Sequence, residues 1–179
     1  IINVDDVDLQ PRPPAFAAAG DAAQRFDARM GMVGARIGAK LLGYNITAVP
    51  PGKRAFPLHN HMVNEEMFFV LQGSGEVRLG DERHPIRAGD VIACSPGGPE
   101  SAHQIINTGT EELRYLAVST RQYPEVCEYP DSGKFGLLHK IYSAHLKTAQ
   151  AKEQLDELSA LVNKSGPVCI LCYERDHAQ

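Results

Sequence analysis

The chain has 179 residues, of which 43% are apolar and 22% charged, and its formal net charge is −4. This composition predicts a globular domain with an apolar core and excludes a fibre or a disordered chain. Lysines and arginines are scattered, so no nucleic-acid partner is expected, and no apolar run is long enough to span a membrane. The four cysteines do not form a disulfide framework, which favours a reducing, cytoplasmic location.

Residues 1–36 are predicted to form an N-terminal arm. Residues 11–14 read Pro-Arg-Pro-Pro and should be extended, because a proline keeps the preceding residue out of the helical region. Alanines favour helix in residues 22–30, where two helical turns are expected. We assign no chemical role to this segment.

Between residues 37 and 122 the sequence has the features of a small antiparallel barrel or sandwich. Short runs of strand-forming residues alternate with turns that contain glycine or proline. The predicted strands cover residues 41–49, 66–72, 76–79, 83–87, 91–95, 102–107 and 113–119. A further strand should carry His59 and His61, so the predicted fold class is mainly β.

His59 and His61 are the first candidate metal ligands. Side chains alternate between faces along a strand, so two histidines one residue apart point to the same side. Glu65 or Glu66, on the way into the next strand, would add a carboxylate, and two imidazoles with a carboxylate make up most of a metal site. If Glu66 faces inward, the outer face of its strand is still largely apolar. Another sheet, the arm or a second subunit must then cover that face.

A third histidine follows downstream. His103 opens a predicted strand that could neighbour the strand of His59 and His61 in a small barrel. Three imidazoles and one carboxylate form a mixed nitrogen and oxygen site, which suits Fe, Mn, Ni, Cu or Zn better than Ca or Mg. The predicted cofactor is therefore one divalent transition metal.

The spacing of these residues resembles the two conserved motifs of the cupin superfamily. Residues that follow the first motif in order are Gly52, His59, His61, Glu66 and Gly73. Residues that match the second motif are Gly89, Asp90, Pro96, Gly98, His103 and Asn107. The second match has a longer loop before its histidine than the family pattern.

On this resemblance, residues 37–122 form a double-stranded β-helix that binds one metal through His59, His61, Glu66 and His103. Residues 97–107 and 129–136 resemble cupins labelled as sugar-phosphate isomerases, which implies a metal-dependent enzyme acting on a small polar molecule bound in the barrel. An Fe(II)-dependent dioxygenase and a non-catalytic binding or sensing module are alternatives that use the same site. Cupin barrels commonly pair, so a homodimer is expected.

Other polar residues are candidates for contact with the bound molecule. Glu100, in the loop before the third histidine, is a candidate catalytic base for isomerisation. His84 precedes a proline in a turn region and is expected at the surface. The weaker candidates for ligand contact are Ser101, Lys53, Arg54, Tyr44 and Gln72.

Beyond the barrel, residues 123–137 are predicted to wrap irregularly, and residues 138–179 to form a helix and a buried strand. Apolar residues 151, 155, 158 and 162 lie on one helical stripe. Cys169 and Cys172 fall on the strand-like run, where residues three apart face opposite sides, so buried cysteines are predicted there instead of a metal pair. The tail resembles the end of a bacterial α/β domain of unknown function through Leu171, Cys172, Glu174 and Asp176.

Overall fold

The computed structural model describes residues 1–13, 18, 20–122 and 125–132. In these ranges the strands are β1 (Gln10–Pro11), β2 (Arg29–Met32), β3 (Leu42–Val49), β4 (Asn60–His61), β5 (Glu66–Gln72), β6 (Ser74–Leu79), β7 (Glu82–Arg87), β8 (Val91–Cys94), β9 (His103–Ile106), β10 (Leu113–Thr120) and β11 (Cys127–Glu128). Short 3-10 helices lie at Val4–Asp6, Gly20–Gln24, Ala35–Ile37 and Pro99–Ser101. None of the helices in the described ranges has the length and hydropathy of a membrane span.

Antiparallel pairing joins the strands into two main sheets. The larger sheet has the order β1-β2-β3-β10-β5-β8, and the smaller has the order β7-β6-β9. Two isolated bridges, Arg54 to Ile106 and His59 to His103, attach the segment before β4 to the free edge of β9. β11 then pairs with β4. The segment that carries the first two histidines therefore neighbours the strand that carries the third.

Apolar side chains from both sheets form the core of the barrel. In β5, Phe68 and Val70 are 6% and 0% exposed. The ring of Tyr115 in β10 meets that of Phe68 edge-on, at 5.6 Å between centroids. Val77 and Ile105 contribute from the smaller sheet. Each large apolar side chain buried in this way stabilises the fold by about 1.5–3 kcal/mol.

The N-terminal arm covers part of the outer face of the larger sheet. Val7 and Val33 are buried there with Ile46 of β3, and we call these three residues the outer cluster. Leu71 of β5 and Leu116 of β10 pack against it. The sequence did not determine which element covers the apolar outer face of β5. At the end of that face where Leu71 lies, the N-terminal arm covers it.

The prediction of a helix in residues 22–30 is wrong. The structure has a 3-10 helix at Gly20–Gln24 and the strand β2 at Arg29–Met32, which pairs with β3. A helix of two turns is marginal in water without a packed face, whereas pairing with the edge of β3 satisfies the backbone of β2. Tertiary pairing therefore overrides the local alanine preference.

The strands predicted within the barrel are confirmed, with small differences at their ends. β5 has the predicted bounds, and β3 and β10 each differ from the prediction by one residue. The predicted irregular wrap contains β11, which the sequence did not indicate. The predicted helix and strand of residues 138–179 lie outside the described residues.

Gly73 makes the turn between the two sheets. Its φ is 79°, a left-handed conformation that favours glycine, and a Cβ atom there would lie 2.5 Å from the carbonyl oxygen of Glu112. The turn passes the chain from β5 to β6, and β6 pairs with β9 so that Leu79 lies opposite His103. It thereby links the strand of Glu66 to the sheet that holds the histidines.

Candidate metal centre

His59 and His103 lie directly opposite each other on neighbouring segments. The N–H of His59 donates to the carbonyl oxygen of His103 at 3.2 Å, and the N–H of His103 donates to that of His59 at 2.8 Å. A reciprocal pair of this kind places both side chains on the same face. The ring of His59 is 4.6 Å from that of His103 and 5.2 Å from that of His61, between centroids. The predicted proximity of the two segments is confirmed.

Glu66 reaches the three rings from the first residue of β5. Its Oε2 atom lies 2.9 Å from Nε2 of His103, 3.4 Å from Nε2 of His61 and 3.7 Å from Nε2 of His59. Glu65 is exposed, and its backbone N–H donates to Thr120. Of the two glutamates, the structure brings Glu66 to the histidines.

A backbone carbonyl fixes the tautomer of His59. Nδ1 of His59 lies 2.9 Å from the carbonyl oxygen of Pro57. A carbonyl oxygen only accepts hydrogen bonds, so Nδ1 carries the proton, and in the neutral ring Nε2 keeps its lone pair. That nitrogen is the one that faces Glu66, as a metal ligand would need.

Glu125 holds the loop that follows His61. Its carboxylate accepts the backbone N–H groups of Met62, Val63 and Asn64 at 3.1, 3.3 and 2.8 Å. It also lies 3.7 Å from Nδ1 of His61, which is longer than a hydrogen bond. The same carboxylate therefore orders the loop and places a negative charge behind the ring of His61.

The cluster shifts the ionisation of its members. Burial alone would raise the pKa of Glu66, but the hydrogen bond from His103 and the close imidazoles of His59 and His61 outweigh burial and hold that pKa well below its usual range. The hydrogen bond with Glu66 raises the pKa of His61 against an opposing effect of burial. The charge of Glu125 acts in the same direction on His61. Glu66 is therefore a carboxylate near neutral pH.

These four side chains fit a divalent metal ion. The ligand atoms of His59, His61 and Glu66 all lie within 4.8 Å of one another, and His103 adjoins them through Glu66. Bonds of roughly 2.1 Å would place neighbouring ligand atoms about 3.0–3.5 Å apart around one ion. The 3.4 Å separation of Glu66 from His61 agrees with this spacing. His103 is 3% exposed, and its Nε2 lies 2.9 Å from the same carboxylate oxygen that the other two histidines approach.

Aromatic rings surround the cluster. Phe56 and Tyr129 have centroids 6.0 and 6.1 Å from that of His59, and Phe68 lies 5.6 Å from His103. Burial raises the pKa of Tyr129 to about 12, so its hydroxyl is neutral near neutral pH. Mostly apolar walls with a few placed polar groups are typical of small-molecule sites.

Glu100 lies in the 3-10 helix before His103. Its exposed carboxylate accepts a hydrogen bond from the N–H of Gly98 at 3.0 Å. It lines a surface groove with Leu58 and Arg78, and within the described residues no hydrogen bond or ion pair joins it to the histidines. The role of Glu100 as a base stays a prediction.

The basic candidates Lys53 and Arg54 join the N-terminal segment to the barrel. Nζ of Lys53 donates to the carbonyl oxygens of Ala23 and Gln24 at 3.2 and 2.7 Å. The guanidinium of Arg54 lies over the ring of Phe26, 5.8 Å from its centroid. Both contacts account for these residues without a ligand.

The remaining residues that the sequence analysis singled out are Tyr44, Gln72, Ser101 and His84. Tyr44, a weaker candidate for ligand contact, packs instead against the outer cluster. Gln72 is exposed at the end of β5, and the hydroxyl of Ser101 donates to the carbonyl oxygen of Gly98 at 2.9 Å. His84 is 49% exposed beside Glu82, so its predicted surface position is confirmed.

The sequence did not indicate three residues that lie around the cluster, namely Phe56, Glu125 and Tyr129. Glu125 is separated from Met62 by 63 positions, and nothing local to it indicates that contact. Tyr129 opens the stretch 129–136 that carries the isomerase resemblance, and this was the one available signal.

The fold and the cluster together define the class of the domain. Two antiparallel sheets with three histidines and a glutamate brought together between them form a double-stranded β-helix with a candidate metal centre. The sequence profile of the cupin domain matches residues 45–119. This match confirms the predicted resemblance to cupins in residues 45–119, and the predicted fold is confirmed.

Relatives with described functions support the same fold. The chain is 37% identical over 70 residues to an oxalate-binding protein of Thermotoga maritima, a match that covers 39% of this chain and 54% of that protein. A provisionally assigned sugar phosphate isomerase from Acidithiobacillus ferrooxidans aligns with a TM-score of 0.56 at 29% identity, over 59% of this chain and 67% of that one. A cupin sugar phosphate isomerase from Silicibacter pomeroyi aligns with a TM-score of 0.62 at 24% identity, over 72% and 80% of the chains, and bears on the fold alone.

The matches to the curated relatives cover only part of those proteins. The chain spans little more than half the length of the curated relatives it matches, 57% and 54%. Residues 108–179 match the domain of unknown function DUF488, which confirms the predicted resemblance of the tail. The family match that bears on the metal centre is that of residues 45–119.

Proposed function

We propose that this cupin domain binds one divalent transition metal through His59, His61, Glu66 and His103 and acts on a small polar molecule in the barrel. One observation carries the proposal: three imidazole nitrogens approach a single carboxylate oxygen at 2.9, 3.4 and 3.7 Å. The mixed nitrogen and oxygen donor set suits a transition metal.

The residues around the proposed metal site have different roles. Pro57 orients the ring of His59 through its Nδ1, and Glu125 orders the loop that follows His61, before any metal binds. Phe56 and Tyr129 place aromatic rings beside His59. When bound, the metal would supply a Lewis acid that polarises an oxygen of the small molecule.

The preferred reaction is isomerisation of a sugar phosphate. It is supported by the relative from Acidithiobacillus ferrooxidans at 29% identity. Isomerisation moves a proton between neighbouring carbons, and Glu100 is our candidate for the base. Interconversion of aldose and ketose phosphates, followed by NMR, tests the activity. Unchanged turnover in Glu100→Gln would exclude Glu100 from the proton transfer.

Binding of a small dicarboxylate without turnover is the second candidate function. It is favoured by the 37% identity to the oxalate-binding protein over 70 residues. Calorimetric titration with oxalate, in parallel with the isomerase assay, separates the two. Binding of oxalate without conversion of any sugar phosphate would favour this second function.

Metal analysis is the experiment that tests the proposal first. Protein purified without added metal is measured by inductively coupled plasma mass spectrometry, beside His59→Ala/His61→Ala and the surface control His84→Ala. We expect about one metal per chain in the wild type and in the control, and almost none in the double variant. Wild type with no more metal than a folded double variant would overturn the proposal. Iron as the dominant metal would add an oxygen-uptake assay.

We also propose a homodimer through the outer face of β5 and β8. Phe69 pairs with Val91 and Met67 pairs with Ala93, so these side chains share one face. Val91 is 66% exposed there, and an exposed apolar patch on a sheet often marks an interface. Light scattering should show a dimer in the wild type and a monomer in Val91→Glu. A monomeric wild type would contradict this proposal.

A further inference from the structure

A cation of the N-terminal arm lies beside the candidate metal centre. Nη2 of Arg12 donates to the carbonyl oxygen of Ala55, and its Cζ atom lies 4.4 Å from the centroid of the Phe56 ring. The other neighbour of that ring is His59, at 6.0 Å between centroids. The guanidinium is therefore one aromatic ring away from a candidate metal ligand.

Arg12 has N–H donors available for an anionic ligand. A guanidinium has five N–H donors, and the described structure gives Arg12 one hydrogen bond and no ion pair. It lines a cavity of about 280 Å³ together with Ala28 and Ala55. Asp27, an exposed carboxylate, lines the same cavity and forms no ion pair with Arg12.

The surroundings of Arg12 connect it to the interior of the barrel. Burial lowers the pKa of Arg12, while Tyr115 and Tyr129 act in the opposite direction on it. Tyr115 is fully buried in the core, and Tyr129 is stacked on His59 at 6.1 Å between centroids. A cation that is partly removed from water without a carboxylate partner costs free energy, and a bound anion would offset that cost.

We infer that Arg12 binds the anionic group, a carboxylate or a phosphate, of the small molecule that the metal centre takes. This inference rests on the proposed function and names the chemical class of its ligand as a small anion. A planar guanidinium matches carboxylate and phosphate oxygens through paired hydrogen bonds. Arg12 would thus fix the end of the ligand that does not meet the metal.

Titration calorimetry with oxalate and with inorganic phosphate tests the inference. Each anion is titrated into metal-free and Mn²⁺-loaded protein, as wild type, Arg12→Ala, Arg12→Lys and Arg12→Gln. Arg25→Ala is the matched control, because Arg25 also lies over an aromatic ring, 5.7 Å from that of Phe26, but is exposed. The tighter of the two anions then identifies the carboxylate or the phosphate source.

We expect Arg12→Ala and Arg12→Gln to weaken anion binding about tenfold or more, because a charge-assisted hydrogen bond contributes roughly that factor. Arg12→Lys should lose less, Arg25→Ala nothing, and all variants should keep the metal content of the wild type. Equal anion affinity in wild type and in folded Arg12→Gln, or no binding of either anion by the wild type, would overturn the inference.

The metal content separates this inference from the proposed function. Loss of anion binding with full metal content in an Arg12 variant supports both. A wild type without metal contradicts the proposed function, and the metal-free titrations then still decide whether Arg12 binds an anion. If Arg12→Ala is unfolded by circular dichroism, Arg12→Lys and Arg12→Gln decide the question.

Discussion

The two faces of the larger sheet bury their residues for different purposes. On the outer face, Val7, Val33 and Ile46 are 5%, 6% and 0% exposed, and the whole contact is apolar. On the inner face, Glu66 of β5 meets His59 and His61 from the facing segment, and the side chains of these histidines are 12% and 19% exposed. The inner face thus combines a sealed apolar core with a partly open polar cluster.

The strand β5 shows the difference within one element. Its inward residues begin with the charged Glu66 and continue with Phe68 and Val70, whereas outward Leu71 packs against the outer cluster. A carboxylate that is buried among three imidazoles costs free energy unless it is paired. A purely structural strand would not need that carboxylate, so the inner polar end is where function is expected and the outer cluster is where stability is expected.

The largest effect should come from removing the carboxylate at the inner end. Glu66→Gln keeps the size of the side chain but loses the negative charge and one anionic ligand. We expect metal affinity to fall by more than about 100-fold, because partners outside the ligand shell alone contribute roughly 10- to 100-fold. Competition with a chromophoric zinc chelator measures the affinity.

Glu65→Gln is the matched control for this change. Glu65 is adjacent in sequence and exposed, so its variant should bind metal like the wild type. Equal losses in both variants would mean that the general negative charge of the region matters, and the contrast between the two faces of β5 would fail.

Much of this contrast was readable from the sequence, because both faces obey the two-residue period of a strand. The period predicted that Glu66, Phe68 and Val70 share a face, and the spacing of the motifs predicted that His103 would join. Partners such as Glu125 and Arg12 were not predicted, because their contacts join distant segments without any local pattern. The alanine-rich part of the arm was misread for the same reason, since pairing with β3 determines its structure.

The second largest effect should appear on the outer face. Ile46→Ala removes a fully buried side chain from the outer cluster and leaves a cavity. We expect the free energy of unfolding to fall by roughly 3 kcal/mol, with metal content unchanged. Urea denaturation measures the first and mass spectrometry the second. Leu41→Ala is the control, because Leu41 is 80% exposed. A change in metal content in folded Ile46→Ala would show that the two faces are coupled.

A smaller effect should follow from the support behind His61. Glu125→Gln removes the charge 3.7 Å from Nδ1 and weakens the bonds that order the loop after His61. Metal affinity should fall about tenfold, because partners of this kind are worth roughly 10- to 100-fold. Glu111→Gln, which changes an exposed glutamate, should have no effect. If Glu125→Gln binds metal with the affinity of the wild type, Glu125 only orders the loop and does not support metal binding.

The smallest effect should be the pH dependence of the metal-free protein. The hydrogen bond with Glu66, against the opposing effect of burial, raises the pKa of His61 above 6.5. A group whose pKa is raised by folding stabilises the folded state below its unfolded pKa, and this contribution is lost as pH rises through the folded pKa. Glu66 stays ionised throughout this window because its pKa is held low.

The melting temperature of chelator-treated wild type should therefore exceed that of His61→Gln by more at about pH 6 than at about pH 8, by roughly 1–3 °C. A difference that stays constant or grows with pH would contradict the coupling between His61 and Glu66. Metal affinity should show the opposite trend and increase with pH, because protons compete with the metal for the imidazole nitrogens. Opposite slopes in the two measurements would distinguish a metal-binding cluster from a buried ion pair that only stabilises the fold.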